Sequence, residues 1–421
     1  MGHILTISLF LVFILLFFIT LHFGPIILLP IGLAIIFILI LSIQSKKVFF
    51  WIIALALAIR PITIDLFFWN TYVFGFKITH IYSFFLIALS IFAIFRLKVF
   101  IKNYNYWILP ALFFIYHFFM GISILQGGKI FSSLEYFLRS AGGIPFFFLI
   151  GYLLEDEKEL IKFLKIILIP LLVLVAFSVI FTFYRVEELY MITGNQKQFW
   201  RLKLLYHDST QLVIYLTMAL IILCYLYYKE RKIYYLIFIY LTLIPIYATQ
   251  TRSAWVSVAF IMVFFSFLLR SPIYLIPILI FGIFRYEDIL KRWDYAGIEF
   301  AEEAGFSGRL SLWKIGLYIF LNSDIIKQVF GQVVGPPFLI LDFHNQYIYW
   351  LVSNGIFGFL FNISILMILF IKTINPLISM IYMWIFISGF LANFLIMPNV
   401  VIFLWSILGY YLRKRENLSF P

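Results

Sequence analysis

His344 and Asn345 stand where a polar stretch gives way to an apolar run, in Asp342-Phe343-His344-Asn345, and nine residues further on comes Gly355-Ile356-Phe357-Gly358. Imidazole titrates near neutral pH, so His344 can take or give a proton. A helix opening at Asn345 would point its N-terminal dipole at that ring. The dipole disfavours imidazolium and so keeps the neutral form that a base requires, and the free N–H groups of the same end can hold an anion. Gly355 and Gly358, in small-x-x-small spacing, leave room for a neighbouring helix or lipid. The competing reading is a histidine at a membrane interface, hydrogen-bonded to its own loop.

Two arginines carry complementary chemistry. Arg309 lies in Ser307-Gly308-Arg309-Leu310-Ser311-Leu312-Trp313. Its planar fork donates two parallel bonds and suits a diphosphate; as an ordinary loop arginine it would instead pair with Glu302 or Glu303. Arg252 sits in the polar island Thr249-Gln250-Thr251-Arg252-Ser253, between two apolar runs with almost no loop. It is either a site residue or a snorkelling side chain at the membrane surface.

Other polar points carry less. Arg139 follows Glu135 by four residues, the spacing of a helical ion pair. Arg60-Pro61 with Asp65, and Arg201, Lys203, His207 and Asp208, can line a cavity and read as structural. His3, His22, His80 and His117 are scattered, without the spacing of zinc ligands, so no metal site is expected. Glu155–Glu159 reads as a solvated loop. No phosphate-binding glycine loop, dinucleotide fingerprint or serine-hydrolase elbow occurs, and no cofactor is expected.

These residues must be positioned by a chain of 421 residues that is 64% hydrophobic and only 12% charged, against about a quarter charged in an ordinary globular domain. The expected fold class is therefore an all-α polytopic membrane protein. A pass for runs of about 20 apolar residues predicts spans at Ile4–His22, Pro25–Ile43, Val48–Ile59, His80–Phe95, Trp107–Leu125, Phe137–Leu154, Ile166–Tyr184, Gln211–Tyr228, Tyr234–Thr249, Ser253–Leu269, Ile273–Phe284, Asn345–Ile371, Leu377–Leu395 and Val400–Leu412. Twelve to 14 helices are expected, since several runs are short and pairs divided by proline can be one broken helix. The first run has no charged leader or small-residue cleavage site and reads as a span. The one cysteine, Cys224, excludes an intramolecular disulfide.

The expected organisation is one membrane domain over 1–421, with 285–343 as its principal outer loop. Within that loop Ser311–Leu321 has helical spacing, with Leu312, Ile315, Tyr318 and Ile319 on one face, and Gly331, Gly335, Pro336 and Pro337 end it before His344.

The net charge of +12 tempts a nucleic-acid reading, but its distribution opposes that. With the N-terminus inside, alternate loops hold 16 basic and 6 acidic residues, and the opposite side holds 15 and 13. That is the positive-inside pattern, so the charge is a topology signal facing anionic lipid headgroups. It also puts His344, Arg252 and the long loop outside, away from cytoplasmic ATP and sugar nucleotides. A donor used there must arrive already activated, most simply on a lipid carrier.

The Thr-Arg-Ser island opening a span, the outer loop with Ser-Gly-Arg-x-x-x-Trp, and His-Asn-x9-Gly-x-x-Gly opening the next span resemble the O-antigen ligase and polymerase superfamily. The resemblance covers roughly Thr249–Gly358; the N-terminal half matches only as a run of spans. It implies a multi-pass protein of the bacterial inner membrane with a periplasmic active site. Arg252 and Arg309 would grip the diphosphate of an undecaprenyl-linked glycan, and His344 would activate the acceptor hydroxyl or stabilise the transition state. Asn345, Gly355, Gly358 and Arg139 would support them. Transfer would be metal-independent and inverting. The acceptor separates the branches: a lipid A core for a ligase, another lipid-linked repeat for a polymerase, a protein for a third branch. The compact outer loop leans to ligase. A transporter or flippase for the same lipid-linked glycans is the reading from a different class, and it would place arginines in a cavity midway through the membrane. A membrane scaffold leaves the outer arginines and His344 without a role.

Overall fold

A backbone in lipid has no water to bond to, so apolar runs of span length close their hydrogen bonds within themselves as helices. The computed structural model describes residues 45–67, 71–73, 76–99, 108–126, 136–137, 140–184, 186–193, 199–206, 209–284, 309–331, 345–389 and 398–419. The described chain is almost entirely helical: α1 Lys46–Ile59, α2 Ile64–Phe67, α3 Ile78–Arg96, α4 Ile108–Gln126, α5 Ile144–Leu153, α6 Glu157–Phe183, α7 Ser209–Glu230, α8 Ile233–Ala248, α9 Arg252–Leu269, α10 Ile276–Phe284, α11 Arg309–Leu321, α12 Ile325–Phe330, α13 Gln346–Thr373, α14 Pro376–Gly389 and α15 Pro398–Ser419. Among the described residues six helices are long and apolar enough to cross a membrane, and the chain is a polytopic membrane protein on that ground.

Each expected span from Val48–Ile59 onward overlaps a described helix, although 138–139 of Phe137–Leu154 and 390–395 of Leu377–Leu395 lie outside the described residues. The first two, Ile4–His22 and Pro25–Ile43, lie outside the described residues. Two short antiparallel hairpins, β1 Tyr72–Val73 with β2 Phe76–Lys77 and β3 Tyr190–Thr193 with β4 Phe199–Leu202, occupy stretches that had read as loops. A second correction concerns Glu155–Glu159. Asp156 caps α6 by accepting from the Glu159 N–H at 2.8 Å, and Glu157 and Glu159 fill the first turn, where acidic side chains meet the positive helix end. The expected span therefore starts nine residues earlier, as a helix rather than a solvated loop.

Helix α7 is apolar on all sides and lies at the centre, with nearly all of its length buried. Helices α5 and α15 pack closest. A Cβ on Gly409 would fall 2.0 Å from the Phe147 carbonyl oxygen, so glycine is what lets the two backbones meet.

Polar contacts sort the helix ends into two layers. At one end Lys46 pairs with Glu155, Lys229 and Lys414 with Glu157, and Lys165 and Lys232 with Glu230. Arg413 there donates to the Gly151 and Tyr152 carbonyls, and Arg415 to those of Ile371 and Lys372. These are the residues that the charge pattern had grouped on one side. At the other end lie Arg60, Arg201, the start of α9 and the start of α13.

Of the stretch 285–343, residues 309–331 are described, and they form α11 and α12, both packed on α13. The expected apolar face of α11 is half right. Leu312 and Ile319 are partly covered, together with Trp313 and the buried Gly316, whereas Ile315 and Tyr318 are exposed.

Candidate functional site at the shared end of α9 and α13

Asn345 is the N-cap of α13. Its side-chain oxygen accepts from the N–H groups of Tyr347 and Ile348, each at 3.0 Å, which satisfies two of the four donors a helix start leaves open. Asn345 is buried. His344, its neighbour in sequence, and Arg139 lie outside the described residues. Arg309 is the first residue of α11.

Arg252 is the first residue of α9 and is half-buried. The turn before it is tight: Gln250 takes φ +48°, a left-handed conformation uncommon for a side-chain-bearing residue. Arg201, on β4, clamps this turn, donating from Nε to the Thr249 carbonyl at 3.1 Å and from Nη2 to Thr251 Oγ1 at 3.2 Å. Tyr247 and Trp255 stack across the same turn, with ring centres 5.2 Å apart and planes within 7°.

Helix α14 ties this corner to the start of α13. Ser388 hydrogen-bonds Ser257 of α9 at 2.8 Å. The Tyr347 hydroxyl of α13 donates to the Phe386 carbonyl at 2.8 Å, and a Cβ on Gly389 would touch Gln346 and Tyr347 at 3.5 Å. The Thr249–Ser253 island and Asn345 thus share one end of the bundle.

The two glycines of the motif have separate functions. Gly355 holds φ +66° and ψ −177°, a backbone region open essentially to glycine, and it breaks α13. Gly358 makes room for the Tyr116 hydroxyl of α4, which sits 1.9 Å from where a Cβ would be.

No family model matches the chain, and no curated protein does either. The geometry of these residues is therefore what bears on function.

Two buried polar groups were not singled out by the sequence as functional. In the first, His117 Nδ1 lies 2.8 Å from the Tyr136 hydroxyl and Nε2 lies 3.1 Å from Asn362 Oδ1, while the Tyr136 hydroxyl also reaches Asn354 Oδ1 at 3.3 Å. His117 had been set aside for lack of a metal partner. The available signal was on α13: Asn354, Gly358 and Asn362 recur every four residues, a polar and small stripe on one helix face. In the second group, Arg60 Nε donates to Asp65 Oδ2 at 3.0 Å and the Tyr215 hydroxyl donates to the same oxygen. The Tyr206 hydroxyl donates to the Pro61 carbonyl at 2.6 Å and closes the group toward the bundle end.

Proposed function

We propose that the chain is a membrane glycosyltransferase of the O-antigen ligase type, moving a glycan from undecaprenyl diphosphate to a hydroxyl acceptor at the bundle end that carries Arg252 and Asn345. One observation carries this reading: the Thr249–Ser253 island and the cap of α13, about 90 residues apart in sequence, meet at one end through α14. The basic layer at the opposite end supports an orientation with the site on the periplasmic side of a bacterial inner membrane.

The chemistry follows from the residues. The acceptor O–H gives its proton to the neutral imidazole of His344 as its oxygen bonds to the anomeric carbon. The bond from that carbon to the diphosphate breaks from the opposite face, and its electron pair leaves on the diphosphate, which inverts the centre. Arg252 and Arg309 stabilise the charge that develops there. The arginines perform the electrostatic work, so no metal is required. A lipid A core sugar is the favoured acceptor, and another lipid-linked repeat is the alternative.

The purified chain in detergent is given undecaprenyl-diphosphate glycan with and without a lipid A core acceptor. A single shift of the acceptor supports the ligase reading. A ladder without added acceptor supports the polymerase. No transfer with either overturns both.

A second reading has an observation of its own. Arg60 and Asp65 are buried, and Arg60 borders a cavity of about 30 Å³ between α1, α6, α7 and α15, room for a water or two. Arg60 Nη1 and Ser406 Oγ line it without a hydrogen-bond partner among the described residues. Ionisable residues buried in a membrane bundle mark ion and substrate pathways, so a carrier of the same lipid-linked glycans is the competing function. Flipping of labelled donor by proteoliposomes in the absence of acceptor distinguishes it.

A further inference from the structure

We infer that Arg201 is a positioning residue for the diphosphate site, acting through Arg252; the inference rests on the glycosyltransferase reading above. Three observations carry it. First, β4 delivers Arg201 to the polar island, where it bonds the Thr249 carbonyl and Thr251 Oγ1. Second, those two acceptors bracket Gln250, whose φ of +48° is a conformation that needs holding. Third, the residue that follows Thr251 is Arg252, the first of α9.

A cation at the C-terminal end of α8 would be favourable by itself, because the last carbonyls of a helix carry its negative pole. That account covers the Thr249 bond alone. It leaves out the bond to Thr251, the N-cap of the next helix, which makes no side-chain cap bond to its own helix. The Thr251 hydroxyl itself donates to the Thr249 carbonyl at 3.4 Å, and the guanidinium binds both groups of that contact, reinforcing the turn and with it the direction in which α9 and Arg252 emerge. The hairpin that delivers Arg201 is anchored in turn: Leu202 is buried, and the Lys203 and Leu204 N–H groups both donate to the Leu189 carbonyl at 3.0 Å. A lysine at 201 has a single ammonium and no fork to span both acceptors.

The test is a double-mutant cycle on lipid binding, independent of transfer. Full-length protein in detergent is titrated with undecaprenyl diphosphate by microscale thermophoresis, with undecaprenol as the phosphate-free control. Arg201→Lys, Arg201→Ala, Thr251→Val, Arg252→Ala and the doubles with Arg252→Ala are compared, each checked for a monodisperse elution profile. We expect Arg201→Lys and Arg201→Ala to weaken diphosphate binding on the order of tenfold, the scale of hydrogen bonds to a charged group, with Thr251→Val in the same direction. We expect Arg201→Ala to add little in the Arg252→Ala background, because residues acting as one unit are not additive. Unchanged binding in the Arg201 variants overturns the inference. So do additive losses, which would make Arg201 independent of Arg252. If Arg201→Ala does not fold, Arg201→Lys and Thr251→Val carry the same cycle. A wild-type chain that does not distinguish the diphosphate from undecaprenol overturns the underlying reading instead, and the inference with it.

Discussion

Gly331 and Gly355 meet backbone to backbone. A Cβ on Gly331 would fall 2.1 Å from the Ser353 carbonyl oxygen, and one on Gly355 would fall 2.3 Å from that of Val329. Both glycines hold positive φ, +92° and +66°. The end of α12 is thus wedged into the break in α13, and the break is a property of the packed pair rather than of α13 alone.

From this contact Gly355→Ala is expected to be strongly destabilising. The side chain meets backbone that cannot rotate away, and the strained conformation alone costs about 1–3 kcal/mol. Gly358→Ala should cost less, because Gly358 holds no left-handed φ and the nearest atom it meets is the Tyr116 hydroxyl, although Asn354 Cβ at 2.5 Å must also give way. Thermal midpoints in detergent check the order, and Tyr116→Phe combined with Gly358→Ala should recover part of the loss. Equal effects at the two glycines would contradict it.

The His117 group joins α4 to α13 within the bundle. His117→Leu takes the ring partner from Asn362 Oδ1, and such an orphan costs about 1–3 kcal/mol, while the Tyr136 hydroxyl keeps its bond to Asn354 Oδ1. Interhelical hydrogen bonds in membranes average nearer 0.6 kcal/mol, so the expected loss is about 1–2 kcal/mol. Asn362→Leu should cost less in the His117→Leu background than alone. Unfolding in mixed micelles measures both, and additivity would mean that the two side chains do not share a network.

At the basic end the Glu155 carboxyl is held below the usual carboxylate range, first by its hydrogen bond and charge contact with Lys46. A folded-state value below the unfolded one adds stability above the unfolded value, about 4.3 for glutamate. That stability disappears as pH falls through the lowered folded value. Glu155 is largely exposed, so the gain is small and screened by salt. Stability measured from pH 6 down to 3 should fall less steeply for Glu155→Gln than for wild type, most clearly at low salt. Parallel curves would show that the contact contributes nothing.

Much of the frame was legible because a membrane span is a length of apolar chain, and that is written in sequence; every expected span from Val48 onward overlaps a described helix. What was not legible depended on partners far away in the chain. The Asp156 cap was hidden because an acidic run reads alike as a loop or a helix start. The α11 face was misassigned because the covered side runs through Trp313 and the buried Gly316, which the apolar period did not mark. Arg201 looked like a loop residue because its acceptors lie about 50 positions downstream. His117 looked isolated because Asn362 is 245 positions away. The island and the cap were legible as motifs, and their shared end needed α14 between them.

Asn345 and His344 are neighbours in sequence with separable functions. Asn345→Ala removes two bonds that cap α13 and should cost about 1 kcal/mol, the usual scale for losing an N-cap. Asn345→Asp retains an acceptor there and should restore the thermal midpoint. His344→Ala touches neither bond, so the folded state should persist while glycan transfer is lost, because the acceptor proton has no base. Arg252→Ala and Arg309→Ala should both weaken use of the donor, and chelation with EDTA should leave wild-type transfer intact. Transfer and thermal midpoint measured on wild type and these five variants separate these effects. Full transfer by His344→Ala would end the base assignment, and a requirement for a divalent ion would move the chemistry to a metal-dependent transferase.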